Sequence, residues 1–192
     1  GCCGLYSDEN ETEMGRIINF CKAVGDSKIG IQLAHSGRKG STERPWEGGR
    51  SLKVDKWQTF APSKIPYADG WHIPEALDSK GLERIKRSFL FAAERAVRLG
   101  IDVIELHAAH GYLLHQFLSP ISNQRLDEYG GKLENRMRYP LEIFQLLRSS
   151  IPPDIPIFVR VSASDWVEGG WDLKQTVAFA KSLEHEGCSA IH

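Results

Sequence analysis

Several features that would assign a protein to a familiar class are missing from this sequence of 192 residues. No run of about 18 apolar residues occurs, so no membrane-spanning helix is predicted. The formal net charge is −1, so no basic excess indicates nucleic acid and no charge block indicates a membrane surface. The amino terminus has neither the basic nor the apolar segment of a signal peptide. We therefore expect a cytoplasmic protein that binds neither nucleic acid nor membranes.

Cysteine motifs and glycine-rich motifs are missing as well. The four cysteines (Cys2, Cys3, Cys21 and Cys188) lack metal-ligand spacing, and we expect free thiols in a reducing compartment. No G-x-G-x-x-G occurs, which removes the dinucleotide fingerprint of a Rossmann fold. The content of 41% hydrophobic and 26% charged residues is that of an ordinary globular protein with a sizeable core.

Helical and strand patterns alternate along the chain. Helices are predicted at 8–24, at 79–99, near 140–149 and after Asp172, and strands at 29–33, 101–106, 156–163 and in the last four residues. This order indicates a parallel sheet with helical crossovers, which is either doubly wound or a (β/α)8 barrel. The segment 34–77 is long, irregular and rich in proline, and such a loop is usually functional.

Polar residues at the predicted strand ends favour the barrel. Gln32, His107 and Arg160 each lie at or near the carboxyl end of a strand, and in a barrel such side chains converge at one mouth. A full barrel takes about 250 residues, whereas this chain supplies three strands and the start of a fourth. We therefore expect one incomplete domain over residues 1–192, roughly half of a TIM barrel and a piece of a longer protein.

The segment HAAHGY at 107–112 is the strongest functional signal. His107, His110 and Tyr112 follow the apolar run IDVIEL, and each can donate a hydrogen bond or move a proton near neutral pH. Structural histidines are usually solitary, so the cluster favours chemistry. A metal-dependent hydrolase that uses the two histidines is an alternative, although no firm third ligand lies nearby in the sequence.

Three segments resemble the Old Yellow Enzyme family of FMN-dependent ene reductases, and in particular its thermophilic-like class, whose members are named NADPH dehydrogenase or NADH:flavin oxidoreductase. The segments are IGIQLAHSGRKG (29–40), DVIELHAAHGYLLHQFLSPISNQRLDEYGGKLENR (102–136) and VRVSASDW (159–166). The resemblance covers nearly the whole chain and corresponds to barrel units three to early six, without the first two and last two strands. It implies FMN as cofactor and NAD(P)H as electron donor.

The resemblance also implies roles for residues around the flavin. Gln32 would bind the pyrimidine edge of the flavin, and Arg160 would lie where negative charge gathers on reduction. Lys39 would lie in the active site beside the flavin. Arg160 could also pair with Glu105 inside the barrel, because a buried charge needs a partner.

The substrate implied by the resemblance is a small molecule with an activated C=C bond. His107 and His110 would hold its carbonyl or nitro oxygen, and Tyr112 would supply the proton. No metal is expected in this interpretation, and a homo-oligomer is possible. A truncated, non-catalytic remnant of such an enzyme is the alternative from another class.

Overall fold

The computed structural model describes residues 3–192 of the chain. In chain order the elements are α1 (Asp8–Val24), β1 (Gly30–Leu33), β2 (Phe60–Ala61), β3 (Glu75–Ala76), α2 (Ser79–Arg98), β4 (Val103–Ala108), α3 (Leu113–Leu118), α4 (Leu133–Ser150), β5 (Ile157–Val161), α5 (Leu173–His185) and β6 (Ala190–Ile191).

Four of the strands form one parallel sheet in the order β1-β4-β5-β6. The two-residue strands β2 and β3 pair with each other inside the long loop. Strands β1 and β6 form the two edges of the main sheet. The α/β prediction is therefore confirmed, while the barrel is not closed within this chain.

The strand register brings polar side chains to one face of the sheet. Gln32 is paired with Glu105, and His107 is paired with Arg160. Glu105 and His107 point the same way because side chains alternate along a strand. The backbone of His192 bonds to Val159 and Val161 on either side of Arg160, which brings it level with that residue. The polar face comprises Gln32, Glu105, His107, Arg160 and His192.

The opposite face of the sheet is apolar and packs under the helices. Ile104, Leu106 and Val159 are at most 1% exposed and belong to the main hydrophobic core. Full burial of such a side chain stabilises a fold by about 1.5–3 kcal/mol. This continuous core holds the strands in register and thereby fixes the spacing of the residues on the polar face.

Helix α2 illustrates how the sequence sets these elements. Its buried residues recur every three or four positions (Leu82, Ile85, Phe89, Ala93 and Ala96), which is one face of a helix. The carboxylate of Asp78 accepts a hydrogen bond from the Gly81 N–H at 2.7 Å and caps the first turn. Gly100, with φ +71°, allows the chain to turn out of the helix into β4.

The differences from the prediction that matter most are at strand β4 and helix α4. Strand β4 covers Val103–Ala108 instead of 101–106, because the Ile101 N–H bonds to the Ala96 carbonyl and so still belongs to the end of α2. His107 therefore lies inside the strand and not beyond it. Helix α4 begins at Leu133 instead of near residue 140, and Pro140 lies within it.

Two observations bear on the other expectations. None of the helices within residues 3–192 combines the length and the apolarity needed to cross a bilayer. Cys3, Cys21 and Cys188 are free thiols, as expected, and Cys2 lies outside the described residues.

Candidate functional site

Glu105 lies at the centre of the polar face. Its carboxylate accepts hydrogen bonds from Gln32 Nε2 at 2.6 Å and from His192 Nδ1 at 2.7 Å. Burial raises the pKa of Glu105, but the bonds from Gln32 and His192 outweigh burial and lower it overall. Glu105 is thus an ionised acceptor at neutral pH. It binds Gln32 of the edge strand β1 and His192, which follows the other edge strand, β6.

Arg160 forms no ion pair with Glu105, although the sequence left that pairing open. No carboxylate among residues 3–192 lies within 4.0 Å of its guanidinium, because the oxygens of Glu105 face Gln32 and His192. The physical reason is that His192, directly after β6, lies closer to the Glu105 carboxylate, at 2.7 Å. The positive charge of Arg160 therefore remains available on the polar face, next to His107 in the strand register.

His107 is 4% exposed, and its Nδ1 has no hydrogen-bond partner. Burial lowers the pKa of His107 to about 4, and the nearby His110 and Arg160 add to the effect. The ring is therefore neutral at pH 7. A buried ring nitrogen without a partner is costly in a finished core, whereas it suits a group that hydrogen-bonds a ligand.

His110 and Tyr112 join His107 at the carboxyl end of β4. The His107 ring centroid lies 5.1 Å from that of His110 and 5.2 Å from that of Tyr112, both edge to face. Burial, Arg160 and Lys39 lower the pKa of His110 as well. The three side chains predicted from HAAHGY thus form one aromatic cluster that contains two neutral imidazoles.

Lys39 reaches this cluster from the loop after β1. Its Nζ donates a hydrogen bond to the His110 carbonyl oxygen at 3.1 Å. The same Nζ lies 5.1 Å from the centroid of the Tyr112 ring and 4.8 Å from that of the Tyr67 ring. Both separations are within the range of a cation–π interaction. Lys39, predicted from the resemblance alone, is therefore built into the cluster.

Tyr67 lies in the long loop between β1 and α2, where an aromatic side chain ordinarily serves to pack the loop. It does stack edge to face on Trp71, with 4.8 Å between the centroids, but it also covers Lys39. Arg38 explains its position, since its guanidinium donates to the carbonyls of Ile65 and Pro66 and so holds the preceding backbone. The sequence gives no signal for Tyr67 beyond the general rule that long loops are functional.

The six predicted residues are therefore brought to one end of the sheet, in two linked groups. His107, His110 and Tyr112 form the aromatic cluster, and Lys39 contacts it. Gln32 belongs to the Glu105 group, and Arg160 joins the two groups because it pairs with His107 in the strand register. His192 was missed, although the predicted start of a strand in the last four residues could have placed it there.

Metal ligation was the alternative use of the histidine pair. Among residues 3–192, no group of three or more His, Cys, Asp or Glu side chains lies close enough together to hold a metal ion. The aromatic cluster supplies two imidazoles and a phenol, and the charges close to it are the cations of Lys39 and Arg160. This donor set suits an organic ligand that has a hydrogen-bond acceptor.

Similarity to known proteins agrees with this geometry. Residues 2–191 match the NADH:flavin oxidoreductase / NADH oxidase family. An NADH:flavin oxidoreductase of Gibberella zeae is 45% identical over an alignment 204 residues long, gaps included. The alignment covers 98% of this chain and 49% of that protein. The NADPH dehydrogenase of Bacillus subtilis is 42% identical over 188 residues, with 98% and 51% covered.

Solved structures give the same result. Morphinone reductase in complex with tetrahydroNAD superposes with a TM-score of 0.81 at 29% identity, over 98% of this chain and 54% of that chain. The Old Yellow Enzyme homologue of Zymomonas mobilis superposes with a TM-score of 0.80 at 27% identity, over 98% and 53%. The chain spans about half the length of the curated relatives it matches. The chain belongs to the NADH:flavin oxidoreductase / NADH oxidase family, the family of Old Yellow Enzyme.

Proposed function

We propose that this chain is the central part of an FMN-dependent oxidoreductase that takes electrons from NAD(P)H and reduces an activated C=C bond. The observation that carries the proposal is the buried, unpartnered Nδ1 of His107 beside His110 and Tyr112. A neutral donor set of this kind suits an oxygen that gains negative charge during reaction. We further propose a single incomplete flavin-binding domain over residues 1–192, a cytoplasmic location and a possible homo-oligomer.

The polar face fits a flavin. Because the ionised Glu105 can only accept, Gln32 must turn its Nε2 toward Glu105, which leaves the amide oxygen of Gln32 free to accept from a flavin N–H. Arg160 has no carboxylate partner among the described residues and offers paired donors to a flavin carbonyl. Bound there, FMN would supply the hydride, which is chemistry that no side chain provides.

The aromatic cluster would hold the substrate. His107 and His110 are neutral at pH 7, so each carries one N–H that can donate to a carbonyl or nitro oxygen. These bonds draw electron density toward the oxygen and leave the β-carbon of the alkene electron-poor. Lys39 fixes the His110 carbonyl and adds a positive charge near the developing anion.

Tyr112 would complete the reaction as the proton donor. Its ring packs edge to face against His107, so a substrate oxygen held by that histidine brings the α-carbon near the phenol. Transfer of the phenolic proton to the α-carbon neutralises the enolate that remains after hydride reaches the β-carbon. General acid catalysis of this kind contributes about 10²–10⁴-fold in rate.

The metal-dependent hydrolase that the sequence left open has no support in the site. Among residues 3–192, no group of three or more His, Cys, Asp or Glu side chains could hold a metal ion, and the cluster itself offers only the imidazoles of His107 and His110.

A chimera tests the proposed function. The chain replaces the matching segment of the Bacillus subtilis NADPH dehydrogenase, which is 42% identical to it, and the unmodified dehydrogenase is the control. We expect FMN to copurify with the chimera, NADPH to bleach the flavin without oxygen, and an enone to restore its absorbance. A folded chimera without FMN would contradict the flavin assignment, and a reduced chimera that quinones oxidise but enones do not would contradict the alkene assignment.

A further inference from the structure

The turn that presents His110 has an unusual backbone. His110 and Gly111 have φ of +57° and +71°, so two successive residues are left-handed. Glycine adopts this conformation freely, whereas for a histidine it costs about 1 kcal/mol or more. Ser162 Oγ accepts from the His110 N–H at 2.9 Å, and Lys39 donates to the His110 carbonyl. The backbone N–H and the backbone carbonyl of His110 are therefore both held by side chains.

The backbone N–H and carbonyl of Gly111 are held by two side chains of helix α3. Its carbonyl accepts from Gln116 Nε2 at 2.7 Å, and its N–H donates to His115 Nδ1 at 2.9 Å. Because Nδ1 accepts a hydrogen bond, it carries no proton, and the ring proton of neutral His115 must be on Nε2. One tautomer of His115 is therefore compatible with the turn.

Asp165 selects that tautomer. His115 Nε2 lies 2.8 Å from Asp165 Oδ1, and the two side chains are only 7% and 12% exposed. Asp165 Oδ2 accepts from Ser119 Oγ at 2.6 Å and from the Trp171 N–H at 2.8 Å. Burial raises the pKa of Asp165, but the bonds from His115, Ser119 and Trp171 outweigh it and bring the pKa to about 2. A carboxylate that only accepts requires the proton on Nε2 of His115.

We propose that His115 and Asp165 are positioning residues, which hold the Gly111 N–H through one fixed imidazole tautomer and so aim His110 and Tyr112 at the substrate. The inference rests on the proposed function for the roles of His110 and Tyr112. The chain of contacts from Asp165 to Gly111 is independent of that function, so the two can fail separately. Neither residue touches the ligand in this account.

The first test uses the chain itself, without flavin or substrate. Spectra of ¹⁵N-labelled histidine side chains report the tautomer of each ring, and hydrogen exchange reports the protection of the Gly111 amide relative to the core amide of Leu106. We expect His115 to carry its proton on Nε2. A proton on Nδ1 in the unmodified chain would overturn the proposal, whatever the variants show.

Two substitutions of His115 test its hydrogen bonds to Gly111 and to Asp165 separately. His115→Asn places an amide oxygen near the former Nδ1 and can still accept from Gly111, whereas His115→Gln places its amide near the former Nε2 and keeps only the Asp165 bond. Because a lost hydrogen bond is worth roughly tenfold in an opening equilibrium, we expect about tenfold faster Gly111 exchange in His115→Gln and a smaller change in His115→Asn. Equal exchange in the two variants would contradict the proposal.

Asp165→Ala has a matched control at the other end of β4. Asp102 also accepts from a side chain and a backbone N–H, those of Lys28 at 2.8 Å and Ile29 at 3.0 Å. We expect Asp165→Ala to leave His115 as a mixture of tautomers with faster Gly111 exchange, and Asp102→Ala to change neither. A single Nε2–H tautomer in Asp165→Ala would refute the role of the carboxylate.

The chimera provides the functional arm of the test. Asp165→Ala should weaken the binding of a phenol by about tenfold, without displacing FMN, while Asp102→Ala leaves the phenol affinity unchanged. If the unmodified chimera binds no phenol, the proposed function is wrong. The tautomer of His115 then still shows whether His115 and Asp165 hold the turn as proposed. If it binds phenol and Asp165→Ala binds equally well, the positioning proposal itself is wrong.

Discussion

Acidification should destabilise the folded chain through two histidines, the partly buried His35 and the buried His107. Burial lowers the pKa of His35 to about 4, with the charge of Arg84 adding to the effect, and the pKa of His107 is also about 4. In the unfolded chain both rings titrate near 6.5. As the pH falls below 6.5, the two rings bind protons in the unfolded chain but stay neutral in the folded chain. Unfolding therefore becomes more favourable until the pH reaches about 4, where the folded chain binds the protons too.

The size of the effect follows from these values. For a group with a pKa of 6.5 unfolded and about 4 folded, linkage gives a loss of about 2 kcal/mol between pH 7 and pH 5. His35 and His107 should each give about this amount, because the pKa of each is lowered to about 4. The aspartates with lowered pKa, such as Asp165, stay ionised in this range, so the loss belongs to the histidines. It is large against a typical free energy of unfolding of 5–15 kcal/mol.

Urea unfolding at pH 7, 6 and 5 measures this loss. In the unmodified chain the Gly37 N–H donates a hydrogen bond to His35 Nδ1 at 3.0 Å. His35→Asn keeps an acceptor for that N–H and removes the titrating ring. The variant should lose about 2 kcal/mol less than the unmodified chain. His185→Asn, at an exposed position of α5, is the matched control and should lose the full amount. Equal unfolding free energies at pH 7 and pH 5, or equal losses in His35→Asn and the unmodified chain, would refute the reasoning.

Three further predictions concern the chimera. Arg160→Ala should lower the reduction potential of the flavin because a positive charge is removed, and Arg160→Lys should restore part of it; an unchanged potential in the alanine variant would make Arg160 purely structural. His110→Ala should retain FMN but weaken phenol and enone binding, at a cost of about 2–4 kcal/mol in the oxidative half-reaction measured by stopped flow; unaltered enone reoxidation would remove His110 from the site. Tyr112→Phe should slow enone reduction by about 10²–10⁴-fold while NADPH still reduces the flavin normally; a slowing of less than about threefold would mean that the proton comes from elsewhere.

Much of the fold could be predicted because it depends on local periodicity. Helix α1 lies at Asp8–Val24 as predicted, and the apolar runs are strands of one parallel sheet. The errors occur where a tertiary contact overrides the local signal. Pro140 is tolerated inside α4 because its turn packs in the buried core. The shift of β4 by two residues follows from how α2 ends, which hydrophobicity alone does not reveal.

The part of the candidate site whose residues lie close together in the sequence could be predicted. His107, His110 and Tyr112 lie within six residues, and their cluster is visible in the sequence. Partner choice across strands is a different matter, because Glu105 could have paired with Arg160 and instead bonds Gln32 and His192. That choice depends on register between strands, for which the sequence carries no local signal.

Contacts that depend on loop conformation were beyond the sequence. Tyr67 reaches Lys39 only because Arg38 holds the carbonyls before it. The role of His115 likewise depends on Asp165, which is fifty positions away in the chain. The third histidine in HAAHGYLLH was nevertheless a usable signal, since it lies one helical turn after Gly111 and so can reach back to its N–H.

The central claim is that the polar face binds a flavin, and an NMR titration of this chain with FMN tests it most directly. Because the sheet is open, we expect weak binding, with a Kd of about 0.1–1 mM. The amide signals of Gln32, His107 and Arg160 should shift together and saturate, those of the outer surfaces of α1 and α5 should stay unchanged, and Arg160→Ala should weaken the binding. Shifts confined to the helices, or no shift of the polar face at about 1 mM FMN in the folded chain, would contradict the account.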